Sequence, residues 1–220
     1  MLHAFNQKHA RRIFQAHSDE HRNGKNEDAA TSMVFSPLVF MSAKDAMDCL
    51  CVALGSAVTR AVEGRIPVTH DVVFWPRGEA RSRDGTETTL CEPDLVVQIS
   101  FTDGSSLLMV GEMKWDWSMN QQSLARELVR ERIAMKKLYP GVPQLPFVVS
   151  KRRYRLHANA AMSTWKDLAT RLATLRSQPG RSPAKIWAGL VVDFLSAAEE
   201  WGFSGRSEEH TSELQSPLII

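Results

Sequence analysis

The chain is poor in cysteine. Its 220 residues include only Cys49, Cys51 and Cys91. An odd number does not describe a disulfide framework, and one residue between Cys49 and Cys51 is too few for a zinc knuckle or a redox CxxC pattern. We therefore expect three reduced thiols, chiefly in the core, in a cytoplasmic protein.

Long hydrophobic runs are absent as well. The most apolar stretch, residues 33–54, is interrupted by Lys44, Asp45 and Asp48, and no uncharged run reaches the length of a membrane span. The first residues are polar and basic with no apolar segment behind them, so we expect no signal peptide. The sequence thus predicts no contact with a membrane.

The charge is nearly balanced, with 27 Lys and Arg against 25 Asp and Glu. A formal net charge of +2 does not by itself identify a nucleic-acid partner, because the clustering of charge matters more than its sum. With 43% hydrophobic and 24% charged residues, the composition is that of a globular protein and excludes collagen, coiled-coil rods and wholesale disorder. The length fits one domain with a small appendage.

Composition divides the chain into three parts. Residues 1–25 predict a polar N-terminal arm, and residues 26–205 the folded domain. The arm contains His17-Ser-Asp-Glu-His21, which has the letters of an inverted zinc-protease motif, but it has too few apolar residues to line a cleft. Residues 206–216 are similar to the conceptual translation of a sequencing-adapter oligonucleotide, so we expect residues 206–220 to be non-native and to pack poorly.

Periodicity and turn residues predict an α/β fold with a central mixed sheet of about four strands flanked by helices. Ser42 and Asp45 open a helix as a capping box, and Gly55 ends it. Residues 77–86 predict a charged loop. The other predicted elements are strands at Val68–Trp75, Asp94–Phe101, Ser106–Trp115 and Phe147–Ser150 and helices at Asn120–Tyr139, Met162–Leu175 and Ile186–Trp201.

Two neighbouring predicted strands carry the chemistry. Glu112 and Lys114 are two residues apart on one strand, so their side chains leave the same face. Asp94 follows Pro93 at the start of the preceding strand. A three-residue loop, Asp103-Gly104-Ser105, would set Asp94 opposite Lys114 and on the same face. Two carboxylates and an amine on one face suit a hard divalent cation that engages a phosphate oxygen, with the lysine orienting the attacking water.

This pattern resembles the PD-(D/E)xK nuclease superfamily, in which Pro-Asp begins one strand and Glu-x-Lys lies on the next. The resemblance implies a restriction-endonuclease-like core and metal-dependent hydrolysis of phosphodiester bonds. It implies Asp94, Glu112 and Glu27 as ligands of Mg²⁺, with Mn²⁺ as the alternative ion, and Lys114 as a catalytic residue. The family's helical acid corresponds to Glu27, with Asp28 a weaker choice. Its glutamine on the following helix corresponds to Gln122 or to Gln121.

The densest basic run follows the last predicted strand and predicts contact with phosphates, a solvated loop being the alternative. It consists of Lys151, Arg152, Arg153 and Arg155. Arginines of the helix before it invite the same interpretation, but i,i+4 pairing with Glu127 and Glu131 explains them nearly as well.

We therefore expect a nuclease acting on DNA, in defence or repair, with RNA an open alternative. The sequence does not distinguish an endonuclease from an exonuclease. It is also compatible with a homodimer or with a partner subunit. The alternative function is a catalytically silent nucleic-acid-binding or scaffold domain with the same fold.

Overall fold

The computed structural model describes residues 25–81, 88–115, 119–156 and 160–200. The predicted arm, apart from Lys25, and the tail at 206–220 lie outside these residues, as does the segment His17–His21. In chain order the elements are α1 (Lys25–Phe35), a 3-10 segment (Ser36–Phe40), α2 (Ala43–Leu54), α3 (Ser56–Val62), β1 (Pro67–Phe74), β2 (Gly78–Arg81), β3 (Thr88–Cys91), β4 (Leu95–Phe101), β5 (Ser106–Lys114), α4 (Gln121–Leu138), β6 (Gln144–Ser150), β7 (Ala161–Thr164), α5 (Trp165–Ser177) and α6 (Pro183–Glu200).

The main sheet is mixed and has the order β1-β4-β5-β6-β7. The pairs β1–β4 and β4–β5 are antiparallel, and β5–β6 and β6–β7 are parallel. The α/β class and the mixed sheet are thus confirmed, with five strands rather than about four. The extra strand, β7, was predicted as the first turn of a helix. It pairs with β6, and the helix begins only after Thr164, whose side chain and Asp167 form a capping box.

The predicted loop at residues 77–86 is wrong in part. Gly78–Arg81 forms β2, which pairs with β3 in a separate two-stranded sheet. This small sheet packs against α4, where a side chain at Gly78 would meet Ala134 and Met135 at 3.0 Å. Tertiary packing therefore stabilises a strand in a segment whose charged residues favour a loop.

The two faces of the main sheet are covered by different elements. Alternate residues of β4, such as Leu95 and Val97, join the larger core with α1, α2, α5 and α6. Val96, Leu108 and Val110 face the other way and pack with Ala134 and Met135 of α4 and with Ala80 and Cys91 of the small sheet. Strand β5 is buried on both faces, as expected for the centre of a covered sheet.

Several local predictions are confirmed. The Ser42 side chain accepts a hydrogen bond from the Asp45 backbone N–H at the start of α2, and Gly55 ends that helix with φ of 81°. All three cysteines are free, with Cys49 and Cys91 buried and Cys51 half-buried. Among the helices that the structure describes, none is both long enough and apolar enough to cross a bilayer.

Candidate active site

The β4–β5 loop sets the position of Asp94 relative to Glu112. The Phe101 N–H donates to the Ser105 carbonyl over 2.9 Å, so the loop is Thr102-Asp103-Gly104, with Gly104 at φ 78°. The predicted odd length and left-handed glycine are confirmed, but the loop lies one residue earlier than predicted. Because Leu95 pairs with Gly111, the register continued by one residue sets Asp94 level with Glu112 and not with Lys114.

Asp94 is held rigidly just before β4. Its Oδ2 accepts a hydrogen bond of 2.7 Å from the Met113 backbone N–H, and its carbonyl accepts from the Trp75 N–H at 3.3 Å. The residue is 7% exposed. The Asp94 carboxylate is thus buried and oriented by a backbone hydrogen bond at the level of Glu112.

Lys114 is the cation of the cluster. Its Nζ bonds to Glu112 Oε1 and lies 3.3 Å from Glu27 Oε1. Glu112 is 3% exposed and Lys114 is 7% exposed. Both leave the face of β5 that also carries Leu108 and Val110, as the two-residue spacing predicted.

Glu27 reaches this point from the first turn of α1. Its Oε2 accepts a hydrogen bond of 3.1 Å from the Trp115 backbone N–H, which joins the helix to the end of β5. Oxygen atoms of Glu27, Asp94 and Glu112 all lie within 4.8 Å of one another. The structure thus brings together four of the five predicted catalytic residues. Asp28, the weaker choice, is half-buried beside Glu27.

Gln122 is the exception. It lies in the first turn of α4 with its side chain exposed, as does Gln121. The buried residues of α4 are Leu124, Leu128, Glu131, Ala134 and Met135. At about 100° per residue, Gln122 falls on the opposite, solvent-facing side of the helix, so the structure does not bring it to the cluster.

The helix instead contributes Glu127 and Glu131, two acids for which the sequence leaves open i,i+4 pairing with arginines of the same helix. Oxygen atoms of Glu127 and Glu131 lie within 4.8 Å of one another and of Glu112, and Glu131 is 3% exposed. A signal was present in the sequence. Glu131 is seven residues after Leu124 and four before Met135, a spacing that puts it on the apolar face of the helix.

Burial and mutual repulsion raise the pKa of the acids in the metal-free protein. The pKa of Asp94 rises to about 7 because the carboxyl is desolvated and faces Glu27. Desolvation, with repulsion from Asp94, raises the pKa of Glu112 well above its ordinary range. Desolvation also raises the pKa of Glu131 to about 8, and it raises the pKa of Glu27. Burial opposes the charge of Lys114, but the surrounding carboxylates outweigh it and raise its pKa.

The basic run begins beside the cluster because β5 and β6 are parallel and end together. The Lys114 carbonyl accepts hydrogen bonds from the Lys151 N–H at 3.2 Å and from Trp165 Nε1 at 3.1 Å. The side chains of Lys151, Arg152, Arg153 and Arg155 are exposed. Arg153 forms an ion pair with Asp167. Trp165, which no sequence motif identified, therefore fixes the strand end from which both Lys114 and the basic run emerge.

Comparisons of the chain with protein-family models, with curated proteins and with solved structures give no match. Function therefore has to be inferred from the site itself.

Proposed function

We propose that this protein is a metal-dependent nuclease that hydrolyses phosphodiester bonds in DNA. One observation carries the proposal. Acids from three separate elements, Glu27 of α1, Asp94 before β4 and Glu112 of β5, bring oxygen atoms within 4.8 Å of one another, and Lys114 lies among them.

The donor set suits Mg²⁺, with Mn²⁺ as the alternative, because both are hard cations that prefer carboxylate oxygens. Glu27, Asp94 and Glu112 would hold the ion. When bound, it would polarise a phosphate oxygen and lower the pKa of a water molecule. The raised pKa values of the three acids fit this role, since buried carboxylates that repel one another are stabilised by a cation in their midst.

Lys114 has a role of its own. Its raised pKa keeps the ammonium protonated at neutral pH, so it acts as a hydrogen-bond donor and not as a general base. Its bonds to Glu112 and Glu27 fix the direction in which Nζ points. From there it would orient the attacking water or neutralise charge on the phosphate.

The surroundings support a polyanionic substrate and the finer fold assignment. The exposed cations of residues 151–155 begin at the strand end adjacent to Lys114, where they would contact phosphates that flank the scissile bond. The placement of Pro93-Asp94, of Glu112-Met113-Lys114 on the next strand and of an acid on α1 supports a restriction-endonuclease-like core.

The test is a cleavage assay with Mg²⁺ or Mn²⁺ on single- and double-stranded DNA and RNA. We expect Lys114→Ala and Asp94→Asn to reduce cleavage by at least about a hundredfold, the scale of losing one charge-stabilising group. Lys44→Ala is the matched control, because Lys44 is exposed and pairs only with Asp48 on α2 among the described residues. It should cleave like the wild type.

The result separates two functions. Cleavage that needs the metal and is lost only in the site variants supports the nuclease. If no nucleic acid is cleaved, or if Lys114→Ala cleaves as fast as the wild type, the nuclease assignment fails. Tight binding of DNA without cleavage would then favour the alternative of a catalytically silent binding domain.

A further inference from the structure

Helix α4 brings two acids to the cluster beyond the three just considered. Glu127 and Glu131 are one helical turn apart, and their oxygen atoms lie within 4.8 Å of one another and of Glu112. Glu112 therefore belongs to two groups of three carboxylates, one with Glu27 and Asp94 and one with this helical pair.

The helical pair is satisfied only in part, since Glu131 shares a side-chain hydrogen bond with Glu112. One oxygen of each side chain, Oε2 in both residues, is fully buried and accepts no hydrogen bond, and within the described ranges neither residue forms an ion pair. Glu131 is 97% buried, because only 3% of its surface is exposed. A buried carboxylate oxygen without a partner carries a desolvation cost, and a bound cation is one way in which a protein offsets it.

The Lys114 ammonium does not supply that partner. Among the described residues, its ion pairs are with Glu112 and Glu27 and not with Glu127 or Glu131. Five carboxylates against one ammonium leave four formal negative charges in a small volume. With all five acids ionised, one divalent cation would neutralise half of these charges, and a phosphate would still meet a net negative site.

We propose that Glu112, Glu127 and Glu131 form a second divalent-cation site, joined to the first through the Glu112 carboxylate. Two divalent cations together bring the formal charge of the five acids and Lys114 to zero. Three carboxylates with few competing donors select a hard cation such as Mg²⁺ or Mn²⁺ over a thiophilic metal. Any catalytic use of this second ion rests on the proposed nuclease function, but the binding of the ion does not.

The test counts bound Mn²⁺ by its electron paramagnetic resonance signal in the metal-stripped, full-length protein without DNA. We expect two Mn²⁺ per wild-type chain, with a spectrum broadened by coupling because the ions share a ligand. The double variant Glu127→Gln/Glu131→Gln should bind one Mn²⁺ with no such broadening. These changes keep the side-chain shape, and Glu79→Gln, an exposed glutamate of β2, is the matched control that should still bind two.

Two results would overturn the inference: one Mn²⁺ per wild-type chain, or two in the double variant. If the double variant does not fold by circular dichroism, Glu131→Gln alone decides. It should lower the affinity for the second Mn²⁺ by at least about tenfold, since losing even an outer-sphere partner lowers metal affinity by that factor. Binding of two ions by a protein that cleaves no nucleic acid would leave the second site standing and remove only the nuclease proposal.

Discussion

Replacing Asp94 by asparagine tests how strongly the fold opposes the charge at the centre of the site. The amide oxygen can still accept the 2.7 Å hydrogen bond from the Met113 N–H, so the variant removes the charge and keeps the geometry. In the metal-free wild type the pKa of Asp94 is raised from 3.8 to about 7 by desolvation and by Glu27. Asp94→Asn should therefore change stability in a way that depends on pH.

The direction follows from proton linkage. Between pH 4 and 7 the native state keeps the Asp94 proton and the unfolded state has lost it, so the free energy of unfolding falls as pH rises. The slope is about 1.4 kcal/mol per pH unit. The stability contribution is complete below the unfolded pKa and lost above pH 7. As the pH rises from 5 to 8, the free energy of unfolding of Asp94→Asn should thus increase by roughly 3 kcal/mol relative to that of the wild type.

The assay is urea unfolding of both proteins with a chelator at several pH values. Other buried acids titrate in both proteins, so the informative quantity is the difference between the two curves. Asp193→Asn, an exposed acid paired with Arg176, is the control and should show no difference that grows with pH. Adding Mg²⁺ should stabilise the wild type more than Asp94→Asn, which loses one ligand of the first site. If the free energies of unfolding of the two proteins change in parallel from pH 5 to 8, burial of the ionised Asp94 carboxylate does not destabilise the fold.

Two further predictions concern the support of the site and its surroundings. A methyl group at Gly111 would lie 2.1 Å from Phe147 Cζ, so Gly111→Ala should lower the free energy of unfolding in urea by about 1–3 kcal/mol or more. The control Gly189→Ala, which makes only ordinary contacts in α6, should be neutral or stabilising. Equal stability of the two variants would contradict this packing. The double variant Lys151→Ala/Arg155→Ala should weaken DNA binding. It should reduce the slope of the logarithm of the DNA-binding constant against the logarithm of salt concentration by about 2, at roughly 0.9 for each phosphate contact. Lys44→Ala is the control, and an unchanged slope in the double variant would exclude these cations from the interface.

Much of the fold was predictable because its signals are local. The Ser42 cap, the Gly55 stop and the left-handed Gly104 are set by the chemistry of a few adjacent residues. The antiparallel strands around Gly104 follow from apolar residues within reach of a short loop. What failed was non-local: β2 and β7 are short, and each is stabilised by pairing with a strand that the sequence does not mark as its partner.

For the site, the sequence alone determined that Glu112 and Lys114 share a face, because the side-chain period of a strand is two. It also predicted Asp94 at the start of the neighbouring strand, and Asp94 lies one residue before β4. Only the tertiary structure decided that Asp94 stands level with Glu112, that Glu27 reaches the end of β5, and that the apolar face of α4 brings Glu131 to Glu112. These positions depend on where whole helices pack against the sheet. That packing minimises exposed apolar area over the entire domain, and no local motif encodes it.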